Sequence, residues 1–96
     1  MDAALDCYYA MRELVIRHPG GRASESSLAT LRKLCHIAGK AAADGECRAR
    51  LAAVETHAGT LFSGLGSGNW VRRRILAELE EFRTRLYVLE ITKQAA

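Results

Sequence analysis

The stretch of this chain with the most chemistry in it runs from Arg32 to Lys40, where Arg32, His36 and Lys40 recur every four residues with Lys33 beside them. On a helix that spacing stacks the three on one side as close neighbours. Like charges so placed repel by about a few tenths of a kcal/mol per pair, a cost that an acidic partner would relieve. A second cationic run, Arg72-Arg73-Arg74, follows the glycine-rich segment Ser63-Gly64-Leu65-Gly66-Ser67-Gly68. At the start of a helix it opposes the dipole, whose positive end prefers anions. Arg74 has Glu78 one turn ahead, whereas Arg72 and Arg73 have no evident local partner. Arg32, Lys33, His36, Lys40, Arg72 and Arg73 are therefore the candidate anion or nucleic-acid patch. Glu78, Glu80, Glu81 and Glu90 interleave with the later arginines and dampen phosphate attraction. The glycine segment lacks the Gly-Lys-Ser/Thr ending of a phosphate-cradling P-loop.

Catalysis and metal binding need groups that converge. His18, His36 and His57 fall in three different segments, and no His-Glu-x-x-His spacing occurs. Cys35 and His36 are adjacent, so on a helix their side chains diverge by about 100° and cannot share a metal. Cys7, Cys35 and Cys47 are odd in number and sit at core spacing, which reads as reduced thiols in a cytoplasmic protein. No cofactor, no metal and no small-molecule substrate is expected, and the chain reads as noncatalytic.

The segment His36-Ile37-Ala38-Gly39-Lys40-Ala41-Ala42 resembles the histidine-phosphotransfer domain, a helical bundle whose exposed histidine accepts a phosphoryl group. That family carries lysine three and glycine four residues after the histidine; here Gly39 and Lys40 are exchanged. The resemblance covers about ten residues and implies phosphoryl transfer through His36 as a third functional reading.

Four helices must position these groups. Asp2 and Asp6 suit the positive end of a first helix, and Pro19-Gly20-Gly21 stops it after Arg17 and His18. Ser24-Glu25-Ser26-Ser27 offers a cap for a second helix, whose core positions would be Leu28, Leu31, Leu34, Cys35, Ala38 and Ala42. Asp44-Gly45 is placed to end it in a left-handed turn. Cys47, Leu51, Val54, Ala58 and Leu61 give a third stripe. Val71, Ile75, Leu79, Phe82, Leu86 and Leu89 give the fourth and longest, capped by Asn69. The helices are expected over 2–18, 25–43, 46–62 and 70–92, as one domain over 1–96. Short connections favour an all-α, antiparallel up-down four-helix bundle. The runner-up is two or three long helices per chain packed in a homodimer.

With 96 residues, 49% of them hydrophobic and 26% charged, the chain is ordinary for a small globular protein. A net charge of +3 is too small to imply nucleic acid unless clustered, and aromatics at 6% are too sparse for base stacking. No apolar run approaches the roughly 20 residues needed to cross a bilayer, and the acidic start does not read as a secretory signal.

The apolar surface, however, exceeds one face per helix. Leu5, Tyr9 and Ile16 flank the core side of the first helix, and Leu76, Tyr87 and Ile91 flank that of the last. These six are the candidate partner-binding residues. The first functional reading is accordingly a protein–protein interaction module (adaptor, chaperone or regulatory subunit) that pairs with itself or with another protein. A nucleic-acid-associated protein is the alternative. No membrane role is expected.

Overall fold

The computed structural model describes residues 2–65 and 69–95. It contains α1 (Asp2–Arg17), α2 (Glu25–Ala41), α3 (Gly45–Phe62) and α4 (Asn69–Ala95). No described residue belongs to a β-strand; one isolated bridge joins Ala23 to Ser63. The chain is all-α. α1 packs on α2 and α4, and α3 packs on the same two helices.

Local chemistry sets the boundaries. Ser24 caps α2, its Oγ accepting the Ser27 N–H at 3.3 Å, and Asp44 caps α3, its carboxylate accepting the Cys47 N–H at 3.0 Å. Asp44-Gly45 therefore starts α3 rather than ending α2 in a left-handed turn, since positive φ occurs only at Gly21 and Gly64 among the described residues. α2 stops at Ala41, two residues short of the expected limit, and α4 begins at Asn69 itself instead of using it as a cap. The part of the glycine segment at 66–68 lies outside the described residues.

The apolar stripes meet in one cluster. Tyr8, Met11 and Val15 from α1, Leu31 from α2, Leu51, Val54 and Phe62 from α3, and Ile75, Leu79 and Phe82 from α4 are all buried in it. Fully burying a side chain of that size contributes roughly 1.5–3 kcal/mol, so the cluster is the principal source of stability. Leu28, Leu34 and Leu89, expected inside, are only partly buried at its edge. α4, with 27 residues, is much the longest helix. At about 1.5 Å per residue it spans about 40 Å, close to the 46 Å long dimension of the molecule. None of the helices is long and apolar enough to cross a membrane, among the described residues.

The α1–α2 connection is joined to the end of α3 through the backbone. Ser24 donates its N–H to the Phe62 carbonyl at 2.7 Å beside the Ala23–Ser63 bridge. Gly64, at φ +81°, lies against this seam, where an added Cβ would come within 3.1 Å of the Ala23 nitrogen. Only glycine satisfies both conditions.

Candidate functional site

Of the six candidate partner residues, Tyr9, Ile16, Tyr87 and Ile91 are exposed on α1 and α4, whereas Leu5 and Leu76 pack against the core. Leu5, Tyr9 and Ile16 recur at helical spacing along α1, as do Leu76, Tyr87 and Ile91 along α4. Arg83 brings the two rows together, with its guanidinium 5.6 Å from the Tyr8 ring centroid and 5.9 Å from that of Tyr87. Tyr9 sets its edge on Tyr8 at 4.9 Å, so Tyr9, Tyr8, Arg83 and Tyr87 form one continuous stack. Glu80 pairs with Arg83 at 3.0 Å and accepts a hydrogen bond from the Tyr8 hydroxyl. Burial, and then that contact with Glu80, raise the Tyr8 phenol above its ordinary pKa. Tyr8 is the buried member of this group, while Tyr9 is 49% and Tyr87 47% exposed. Ile91 is 66% exposed, Ile16 is exposed, and Leu5 and Leu76 are half-buried against the core.

The basic residues divide into two groups. Arg32, His36 and Lys40 line an open cleft of about 570 Å³ between α2 and α3, opposite Arg48 and Glu55 of α3. Lys33 is exposed but does not line it. Arg72 and Arg73 are not part of this cleft either. Arg72 donates to the His18 carbonyl, which binds the start of α4 to the end of α1, and Arg73 is exposed. Arg74 reaches Glu78 at 3.4 Å as its spacing implies.

The histidines stay apart. His18 is buried, its Nε2 at 2.9 Å from the Arg22 carbonyl and its ring 4.7 Å from that of Phe62. His36 is exposed on α2, and His57 meets Trp70 edge-on at 6.2 Å. Among the described residues no three His, Cys, Asp or Glu side chains are grouped to hold a metal. All three cysteines are buried and free. Burial pushes the Cys35 thiol up to about 12, and burial together with the Asp44 carboxylate pushes Cys47 up to about 11.

Sequence reasoning missed several features. Glu78 is buried, held by Arg50 at 3.1 Å as well as by Arg74. Arg85 does not take the Glu81 partner its spacing suggests; it pairs with Asp44 and Glu46 across the α3–α4 contact. A second cleft of about 660 Å³, between α1 and α2, is lined by Leu14, Leu34, Ser27 and Arg22 among others. Leu34, which its spacing places in the core, lines this cleft half-buried instead.

No protein-family model, no curated protein and no solved structure matches this chain.

Proposed function

We propose that this chain is a noncatalytic protein–protein interaction module that pairs with a second copy of itself through the outer face of α1 and α4. The observation that carries the reading is the exposure of Tyr9, Tyr87 and Ile91 around the Arg83 stack. Tyrosine and arginine are the residue types that anchor protein interfaces, because each buries a large area while retaining polar contacts. The face also suits its own copy. It carries Arg12 and Arg83 alongside Glu80, so two such faces can meet without one sign of charge opposing itself.

The same reading takes the four helices as an antiparallel up-down bundle. Met11 to Cys35, Cys35 to Leu51, Arg50 to Glu78 and Tyr8 to Glu80 link successive helices in order and close the ring from α1 to α4. Along the paired helices, high numbers on one meet low numbers on the next: Asp44 meets Arg85 where Arg50 meets Glu78. Three buried, free thiols support a reducing, cytoplasmic setting.

Sedimentation equilibrium tests the proposal. The wild type is expected at twice its 10.5 kDa chain mass, and Tyr87→Glu or Ile91→Asp at the monomer mass with an unchanged helical circular dichroism spectrum. A wild type that sediments as a monomer across micromolar to millimolar concentration overturns self-association.

A further inference from the structure

We propose that the cleft between α2 and α3 binds a small oxyanion carrying two or more negative charges, a polyphosphate or a polycarboxylate. The cleft is lined along α2 by Arg32, His36 and Lys40 and from α3 by Arg48. Its four basic side chains are not equivalent. Arg32 is already paired with Glu55 at 3.5 Å. His36, Lys40 and Arg48 are exposed, and none of their side chains makes a hydrogen bond or ion pair with another described residue. What remains is a group of three unpaired donors gathered around Gly39, drawn from two helices, rather than a strip along one.

That arrangement selects the ligand. His36 and Lys40 are one helical turn apart, about 5–6 Å between their Cβ atoms, and Arg48 faces them across the cleft. A single point charge satisfies one of them at a time, whereas an anion with charges spread over a similar distance engages all three. Arg48 supplies a planar fork that matches the paired oxygens of phosphate or carboxylate, and Lys40 supplies a mobile point charge. An extended acidic helix fits less well, because the Arg32–Glu55 pair interrupts the row one turn above His36.

The floor supports the same conclusion. Gly39 and Ala52 leave space between the helices. A Cβ on Gly39 would meet only Leu51 Cδ1, at 3.8 Å. A Cβ at residue 39 therefore makes only ordinary contact, and because Gly39 lines the cleft a longer side chain there extends into it.

Titration of the ¹⁵N-labelled protein with pyrophosphate and with citrate, against chloride at matched ionic strength, tests the proposal. Saturable shifts at the Gly39 amide and the Arg48 side chain are expected with at least one of the two polyanions, and the tighter of them identifies the class. Lys40→Gln or Arg48→Gln should weaken binding about tenfold. Gly39→Leu should abolish it with every charge retained, and Arg73→Gln should change it less than about twofold. Shifts reproduced by chloride, binding indifferent to both Arg48→Gln and Gly39→Leu, or an equal loss in Arg73→Gln would each overturn the site.

Discussion

Arg85 grips Asp44 with two parallel hydrogen bonds, Nε to Oδ2 at 3.1 Å and Nη2 to Oδ1 at 3.0 Å, across 41 residues of chain. Asp44 is at the same time the cap of α3, so one carboxylate both starts a helix and binds α4 to it. The hydrogen bonds from Arg85, and then the one from the Cys47 N–H, hold the Asp44 carboxyl well below the usual carboxylate range. A depressed folded-state pKa contributes stability above the unfolded value, about 4, and that contribution is lost as pH falls below it. Thermal midpoints followed by circular dichroism should therefore fall from about pH 4 downwards. Asp44→Asn keeps a capping oxygen without the charge and should flatten that decline. An equally steep decline in the variant would assign the acid sensitivity to other carboxylates.

Gly21 and Gly64 share a φ of +81° but not their surroundings, since a Cβ on Gly21 meets nothing within 4 Å. Gly21→Ala should cost only the left-handed backbone penalty, roughly 1–2 kcal/mol. Gly64→Ala should cost more, because its methyl also presses on the backbone of Arg22 and Ala23. Urea denaturation of the two variants separates the contributions; equal losses would show that the seam beside Gly64 yields freely.

Glu78 is a buried carboxylate with two unequal arginines. Arg50 approaches to 3.1 Å and Arg74, the more exposed, to 3.4 Å. Removing Arg50 leaves the charge with its weaker partner, so Arg50→Met should lower the thermal midpoint by about 5 °C. Arg74→Met, which removes a solvent-screened i,i+4 pair, should lower it by less. The reverse order would mean that Arg74 is the principal counter-charge.

The thiols should be inert in the folded protein. Thiolate is the reactive species, and pKa values of about 12 for Cys35 and about 11 for Cys47 leave very little of it at pH 8. Modification by an aromatic disulfide reagent should run at least about a hundredfold slower than for a free cysteine and become complete in denaturant. The raised folded-state values also mean that stability contributed by these thiols is present below the unfolded value, about 8.5, and is lost as pH rises through the folded ones.

The helices were legible because each carries a repeating apolar stripe. Val71, Ile75, Leu79, Phe82 and Leu86 needed no knowledge of the other helices to be placed inside. The exposed flank of Tyr9, Tyr87 and Ile91 was legible for the same reason: each lies off its helix's stripe. What spacing cannot convey is which distant residue arrives opposite. Glu78 looked like a surface acid with one neighbour, and its burial follows from Arg50, which lies 28 residues away. Arg85 has Glu81 one turn before it in sequence, yet Asp44 offers two oxygens in the geometry a guanidinium prefers. Arg48 looked unremarkable on α3, and only the packing of α3 on α2 sets it opposite Lys40. Trp70 is 63% exposed at the first turn of α4, with its ring edge-on to that of His57.

The Ser24–Phe62 hydrogen bond beside Ala23 and Ser63 joins two peptide groups, which do not titrate, whereas the Asp44–Arg85 joint between α3 and α4 is made of charges, which do. Acid should therefore not loosen the molecule evenly. Amide exchange near Cys47 and Arg85 should accelerate while Ser24 remains protected, so that the protein unzips in one direction.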